Sequence, residues 1–333
     1  MDIVRFWRDV PVSLKGAVLA IGNFDGVHRG HQAVLREAMR IAASEGRRAG
    51  AVVFEPHPRE FFAPHLPFFR LTPLPLKLEL LEALGLDQTF VIPFDGALSS
   101  LSAEAFATDV VAKGLGASHV VVGHDFSFGK GRTGTTEGLA ALGRTLGFGV
   151  DVVSPVGAAE GIFSSSRIRE HLRAGEVRDA AEQLGFWWRV RGRVGKGAGR
   201  GKGLGFPTLN VALDPGQDVR HGIYAMRVEN GRRRYHAAGY VGTSPTFGDS
   251  APVLEAYLLD FTGDLYGEEV EIEFIAFLRD DQTFASPEAL AAQMRRDCDD
   301  ARAILARIDA DDPMLRFPLG RAEPALDCKE PGC

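Results

Sequence analysis

The segment GNFDGVHRGHQ, residues 22–32, gathers two histidines, an aspartate and several glycines directly after an apolar run. Because His28 and His31 are three residues apart at a predicted helix start, their side chains can face the same space. Gly22 and Gly26 allow a backbone turn to approach a ligand closely. Three interpretations follow: a phosphate cradle whose imidazoles stabilise a transferring phosphoryl group, a metal site with His57 as a third ligand, or a tight turn with incidental polar residues.

A second segment, GRGKGLGFPTLNV, residues 199–211, combines alternating glycines with Arg200 and Lys202. A backbone-exposed basic loop of this kind can wrap a polyphosphate, although it is not a GxxxxGK[ST] loop. Thr208 and Asn210 are two residues apart and would lie on one side of a strand, where their oxygens suit Mg²⁺. The alternative is a flexible hairpin followed by an ordinary strand.

Five short apolar runs separated by amphipathic helical patterns occupy the first half of the chain. The runs are AVLAIG (17–22), GAVVFE (50–55), TFVIPF (89–94), HVVVG (119–123) and VDVVSPV (150–156). Continuously apolar strands alternating with helices predict a parallel sheet covered on both faces. Such sheets bind ligands at the carboxyl ends of their strands, and segment 22–32 follows the first strand.

The second half changes to closely spaced alternating patterns, beginning at WWRVRGRV near residue 187. Asn230-Gly231 indicates a hairpin turn, and the later runs LEAYLLDF and EVEIEFIAFLRD continue as strands. These strands predict a small antiparallel barrel or sandwich. Ser286 as N-cap and Pro287 at the first helical position predict a long closing helix. We therefore predict domains at 1–183 and 184–312 and a flexible tail at 313–333.

The composition is that of an ordinary globular protein, with 45% hydrophobic and 25% charged residues among 333. A net charge of −6 argues against general coating of nucleic acid. We find no signal peptide and no apolar run long enough for a membrane span. The three cysteines, Cys298, Cys328 and Cys333, argue against a disulfide scaffold and favour a reducing cytoplasm.

Segment 22–32 resembles the GxFDxxHxGH signature of the nucleotidyltransferase superfamily. FSSSRIRE, residues 163–170, resembles the second signature of that superfamily, ISSTxxR, with Phe163 for Ile and Ser166 for Thr. The resemblance implies in-line attack of a substrate phosphate on the α-phosphorus of ATP, with His28 and His31 as the catalytic residues. Asp25 would order the loop or engage the magnesium-nucleotide rather than act as a base. The ATP-binding residues implied are Gly22, Asn23, Phe24, Asp25, Gly30, Ser165, Ser166, Arg167 and Arg169.

GKGLGFPTLN resembles the riboflavin kinase signature GRxLGFPTAN, and VGTSPTFGD with LEAYLLDFTGDLYG resembles its downstream motif. The order of motifs from about residue 15 to 308 resembles the bifunctional riboflavin kinase/FMN adenylyltransferase family. That resemblance implies an α/β nucleotidyltransferase domain of Rossmann type followed by a small antiparallel β-barrel kinase domain closed by a C-terminal helix. It also implies ATP as co-substrate, Mg²⁺ as cofactor, and riboflavin, FMN and FAD as substrates and products.

The resemblance assigns residues to the remaining roles. Glu255 would be the base that takes the proton from the riboflavin 5′-hydroxyl. Arg279 would contact flavin in the kinase, and Thr208 and Asn210 would bind Mg²⁺. The kinase residues that bind ATP would be Gly201, Lys202, Gly203, Gly205, Phe206, Pro207 and Thr208. The flavin-binding residues of the first domain would be Phe62, Asp125, Phe126 and Phe128, since aromatic rings can stack on isoalloxazine.

Besides Phe163, four positions depart from the family patterns. Ser166 replaces Thr, Ser127 stands where GxDFRFG has Arg, Tyr240 where Asn is frequent, and Ser244 where Arg is common. Because of these departures, an enzyme with one live site remains an alternative.

Two further alternatives remain open besides an enzyme. A flavin-sensing nucleic-acid-binding protein is suggested by Trp187 and Trp188 beside basic residues at 189, 191, 193, 196, 200 and 202. A flavin-storing protein is the other. For the bifunctional enzyme we expect small-molecule partners, no nucleic acid and no membrane, and the sequence leaves self-association open.

Overall fold

The computed structural model describes residues 1–158, 161–196, 206–214, 216–231, 233–243 and 252–314. Its first half contains a six-stranded sheet of order β1-β4-β3-β2-β5-β6, in which every pairing is parallel. The strands are β1 (Asp2–Val4), β2 (Val18–Ile21), β3 (Ala49–Glu55), β4 (Gln88–Pro93), β5 (His119–Gly123) and β6 (Gly149–Val153). The five predicted strands are confirmed, whereas the three-residue edge strand β1 was not predicted.

Helices flank this sheet. They are α1 (Arg29–Glu45), α2 (Pro58–Phe62), α3 (Leu74–Ala83), α4 (Gly96–Ser99), α5 (Ala103–Ala105), α6 (Thr136–Leu146), α7 (Ser165–Ala174) and α8 (Val177–Leu184). A π-helix (Phe106–Leu115) continues α5, and short 3₁₀ turns span Val12–Leu14 and Lys130–Arg132. A two-stranded ribbon, β7 (Gly157–Ala158) and β8 (Gly161–Ile162), precedes α7. The short helices α2 and α3, which follow β3, were not predicted.

The second half forms an antiparallel sheet of order β10-β13-β12-β11-β14-β9. Its strands are β9 (Arg189–Arg193), β10 (Thr208–Ala212), β11 (Gly222–Asn230), β12 (Arg233–Thr243), β13 (Pro252–Leu258) and β14 (Glu269–Arg279). A bridge between Gly195 and Asn210 links its two ends, so the sheet is nearly closed into a barrel.

A long helix, α9 (Pro287–Ala310), packs against the barrel. The Ser286 side chain accepts a hydrogen bond from the Ala289 N–H, and Pro287 occupies the first turn. Both predictions for this helix start are therefore confirmed.

One hydrophobic core cluster runs from the parallel sheet into the barrel, including Leu35, Leu71, Trp188 and Phe274. The Trp188 Nε1–H donates to the Leu71 carbonyl at 3.1 Å, and the Gln32 amide donates to the Leu184 carbonyl at 2.7 Å. Because the two sheets share buried side chains and buried hydrogen bonds, they pack as one body. None of the helices in the described ranges is long and apolar enough to cross a membrane.

Candidate active sites

The turn after β2 is organised around the carboxylate of Asp25, which is 2% exposed. This carboxylate accepts hydrogen bonds from the backbone N–H groups of Leu71 and Thr72 and from the Thr72 hydroxyl. It also forms a buried ion pair with Arg169. With all of these donors on it, the carboxylate of Asp25 ties the turn after β2 to the segment at Leu71–Thr72 and to α7.

The two signature segments, about 140 residues apart in sequence, meet at this turn. The Ser165 hydroxyl donates to the Asp25 carbonyl at 2.8 Å, and the Arg169 Nε–H donates to the Phe69 carbonyl at 2.6 Å. A Cβ at Gly30 would come within 3.1 Å of the His28 ring and would lie 3.4 Å from the Phe163 carbonyl, so glycine leaves room for that imidazole. Ser166 is exposed beside them.

The paired histidines start α1, with their ring centroids 3.6 Å apart in a stacked arrangement. The His28 Nδ1 accepts from the His31 N–H at 3.3 Å and caps the helix. In its neutral form the imidazole of His28 therefore carries its proton on Nε2. Burial lowers the pKa of His28 to about 4. Burial, with His28 and Lys77 nearby, holds the pKa of His31 well below its usual range. Both rings are consequently neutral near pH 7 and act as polar donors.

The same turn carries backbone strain. Phe24 and Val27 have φ angles of 48° and 43°, values that a β-branched or bulky residue rarely adopts. Such strain persists where the surrounding structure fixes the chain, and it clusters at functional sites. Here the fixing contacts are those of Asp25 and the bond from the Gly26 N–H to the Thr72 hydroxyl at 2.7 Å.

The predicted flavin-binding residues lie in two places. Phe62 is 67% exposed on α2 and contacts Phe94 edge to face. Phe126 stacks on Phe128 with ring centroids 5.5 Å apart, and Phe128 itself is buried in the core. No ring–ring contact joins Phe62 to this second pair in the described part of the chain. Asp125 is exposed and close enough to His28 to raise the pKa of its imidazole against the effect of burial.

A second candidate site lies on neighbouring strands of the barrel. Asn210 on β10 is directly opposite Glu255 on β13, and Tyr240 on β12 is opposite Glu255 on its other side. The Thr208 hydroxyl donates to the Glu255 carboxylate at 3.4 Å. Asn210 is 3% exposed, and its Oδ1 has no hydrogen-bond partner among the described residues. Burial, with Asp281 and Glu255 nearby, raises the pKa of Tyr240.

Not every predicted kinase residue faces this cluster. Arg279, predicted to bind flavin, donates from Nε and Nη2 to both oxygens of Asp297 on α9, at 2.8 and 2.7 Å. Phe206 is buried against Tyr257, and Pro207 is exposed. The predictions for Gly201, Lys202, Gly203, Gly205 and Ser244 lie outside the described residues.

The metal alternative for the first site finds no support in the geometry. Within the described residues, the one group of three side chains spaced to hold a metal ion is His171, Glu176 and Asp179. This group joins α7 to α8 and includes neither His28 nor His31.

Two arginines of β9 that suggested the nucleic-acid alternative are paired with acidic residues. Arg189 pairs with Glu271, and Arg191 pairs with Glu79 and Glu271. Trp187 and Trp188 are 2% and 1% exposed. Buried rings cannot stack on bases, so the two tryptophans are not the stacking surface that this alternative assumed.

Two residues that bond to the turn of the first site escaped the sequence analysis: Thr72 and Lys77. Thr72 bonds to Gly26, 46 positions earlier in the chain, and Lys77 bonds to Asn23, 54 positions earlier. The segment LTPLPLK carries a Pro after Thr72 but no other sign of a contact with the turn. No local sequence pattern could have indicated these contacts.

A parallel sheet with two joined signature segments at its strand ends, followed by a six-stranded barrel, defines a nucleotidyltransferase fused to a kinase-type barrel. In agreement, residues 10–167 match the FAD synthetase family and residues 184–305 match the riboflavin kinase family.

Relatives similar over nearly the whole chain carry both parts. A bifunctional riboflavin kinase/FMN adenylyltransferase from Pseudomonas fluorescens is 37% identical over 92% of this chain and 98% of its own length. One from Listeria monocytogenes is 35% identical over 91% of this chain and 95% of its own. A crystal structure described as a macrolide-efflux protein from Streptococcus pneumoniae has a TM-score of 0.81 and 29% identity, covering 90% of this chain and 98% of that one. The chain belongs to the bifunctional riboflavin kinase/FMN adenylyltransferase family.

Proposed function

We propose that this chain converts riboflavin to FAD in two steps at two separate sites. The domain at 184–312 phosphorylates riboflavin to FMN, and the domain at 1–183 adenylylates FMN to FAD with release of pyrophosphate. The observation that carries the proposal is the meeting of the two signature segments at the turn after β2, through Ser165 and Arg169. The family-wide similarity of both halves supports it.

Adenylylation needs positioning and charge stabilisation rather than a covalent intermediate. The FMN phosphate attacks the α-phosphorus of ATP in line, and pyrophosphate leaves. In this proposal the Nε2–H of His28 donates to a phosphate oxygen, because its Nδ1 is used by the His31 N–H and His31 is stacked beside it. Ser166 and Arg167 open α7 next to this pair, where they can hold the departing phosphates. Arg169 anchors Asp25 and thereby fixes the turn.

Riboflavin phosphorylation is assigned to the cluster on β10 and β13. Glu255 takes the proton from the 5′-hydroxyl as its oxygen attacks the γ-phosphorus of ATP, and ADP leaves. The unpartnered Oδ1 of Asn210, with the Thr208 hydroxyl close by, fits the oxygen ligands that Mg²⁺ prefers. Mg²⁺ bound with ATP would neutralise charge on the transferring phosphoryl group.

We also assign the protein to the cytoplasm. Its cysteine usage suits a reducing compartment, and Cys298 is buried as a free thiol. Its partners are the small molecules riboflavin, FMN and ATP.

The test is chromatography of flavins after incubation with riboflavin, ATP and Mg²⁺. We expect FMN to appear first and FAD after it. His31→Ala should abolish FAD formation and leave FMN formation intact, with exposed His65→Ala as the matched control. Glu255→Ala should stop phosphorylation of riboflavin while added FMN still becomes FAD, with exposed Glu268→Ala as its control. If either site variant stopped both reactions in a folded protein, the two-site proposal would be wrong.

A further inference from the structure

A buried lysine contacts the turn of the first site from outside both signature segments. Lys77 lies on α3 and is 2% exposed. Its Nζ donates to the Asn23 carbonyl at 2.7 Å. A buried ammonium is costly unless it is compensated, and burial lowers the pKa of Lys77 although Asp25, Glu55 and Glu60 nearby oppose that effect. We therefore looked for a function of the buried Lys77 ammonium in its contacts.

The nearby carboxylates are bonded to other cations. Arg70 pairs with Glu55 at 2.7 Å and with Glu60, and Arg169 pairs with Asp25. Within the described residues, the hydrogen-bond acceptor of the Lys77 ammonium is a backbone carbonyl. Lys77 therefore acts on the conformation of the turn rather than on a single carboxylate.

Because a peptide is planar, the bond from Lys77 to the Asn23 carbonyl also fixes the direction of the Phe24 N–H. In a trans peptide the carbonyl and the following N–H point to opposite sides. Because the Asn23 carbonyl faces Lys77, the Phe24 N–H points away from Lys77. Phe24 is held at φ 48°. The N–H groups of Asn23, Phe24 and Asp25 bond to no acceptor in the described part of the chain. Successive unpaired N–H groups in a turn form a concavity that binds anions.

We propose that Lys77 is a positioning residue of the adenylyltransferase site: its ammonium holds the Asn23–Phe24 peptide so that the Phe24 N–H faces the polyphosphate of ATP. This inference rests on the proposed function of that site. It predicts that substitution of Lys77 changes the kinetic parameters for ATP and not those for FMN, because the oriented N–H binds the nucleotide phosphates. If Lys77 only filled space, its substitution would change the kinetic parameters for both substrates alike or for neither.

The test compares Lys77→Met, Lys77→Arg and the control Lys113→Met in the full-length protein. Methionine keeps the length and apolar stem of lysine and removes the charged donor, whereas arginine keeps a charged donor. Lys113 is exposed, and among the described residues its side chain pairs with Asp109, whose side chain is half-exposed. FAD formation from FMN and ATP is measured with each substrate varied, and riboflavin phosphorylation by the same preparation reports folding.

We expect Lys77→Met to lower kcat/KM for ATP in adenylylation by about tenfold or more, with KM for FMN changed by less than about twofold. Lys77→Arg should recover to within about fivefold of the wild type. An unchanged kcat/KM for ATP in Lys77→Met, or an equal rise in both KM values, overturns the inference. If Lys77→Met fails to fold, Lys77→Arg decides alone: recovery for ATP supports the role, and loss of adenylylation with intact phosphorylation overturns it. Failure of the wild type to make FAD would instead refute the proposed function.

Discussion

Thr72 offers a direct measure of how strongly the turn of the first site is held. Its hydroxyl accepts from the Gly26 N–H at 2.7 Å and donates to Asp25 at 3.3 Å, and the residue is 1% exposed. Thr72→Val keeps the shape and leaves the Gly26 N–H buried without a partner, at a cost of about 1–3 kcal/mol. Loss of the longer bond to Asp25 adds about 1 kcal/mol, and the extra methyl group returns about 1 kcal/mol. The expected net loss in the free energy of unfolding is about 2 kcal/mol.

The assay combines urea unfolding with the two activities. With an unchanged slope, the shift of the urea midpoint gives the loss of stability. The control Thr72→Ser keeps the hydroxyl and removes one buried methyl group, so it should lose about 0.8 kcal/mol and retain adenylylation. Thr72→Val should reduce FAD formation by about tenfold and leave riboflavin phosphorylation unchanged at a temperature where the protein is folded. Stability within about 0.5 kcal/mol of the wild type, or an equal loss of both activities, would refute this account of the turn.

Three further changes test other contacts. Trp188→Phe removes the donor to the Leu71 carbonyl and should lower the free energy of unfolding by about 1–3 kcal/mol in urea titration; an unchanged midpoint would contradict it. Asp297→Asn removes the counter-charge of Arg279 and should lower the free energy of unfolding by about 3 kcal/mol. On heating, this variant should therefore lose riboflavin phosphorylation at a lower temperature than the wild type. The pKa of His28 is lowered to about 4 in the folded state against about 6.5 unfolded. The unfolded state therefore binds more protons between these values, and stability falls as the pH drops through that window. His28→Asn keeps a capping side chain and should flatten this fall in urea midpoints measured from about pH 7 to pH 4.5.

Much of the fold could be predicted because its determinants are local. Continuous apolar runs marked five of the six strands of the parallel sheet, Asn230-Gly231 marked the turn between β11 and β12, and Ser286 with Pro287 marked the start of α9. The edge strand β1 was missed because three residues carry no periodic pattern. Its pairing with β4, more than eighty positions away, is fixed only in the folded sheet.

The first site also has a part that the sequence predicts and a part that it does not. Signature spacing brought out His28, His31 and Ser165, whose roles depend on the turn and the helix start nearby. It did not reveal that Arg169 would be bonded to Asp25 and to the Phe69 carbonyl, because such partners are selected by packing between distant segments. For the same reason the sequence did not indicate that the guanidinium of Arg279 would be bonded to Asp297.

The charges of the first site bear on how it can act on a polyphosphate. Its two histidines are neutral near pH 7 because burial lowers the pKa of each. Arg169 is bonded to Asp25, and Lys77 is bonded to a backbone carbonyl. In the proposed function, fixed dipoles, namely the His28 Nε2–H and the N–H groups of the turn, therefore act beside Ser166 and Arg167 as donors to the incoming anion. Preorganised dipoles need no rearrangement when charge develops in the transition state. The buried cations of this site then contribute by holding the dipoles in place, and that is why changes at Thr72 and Lys77, which need not touch ATP, are expected to alter the rate of FAD formation.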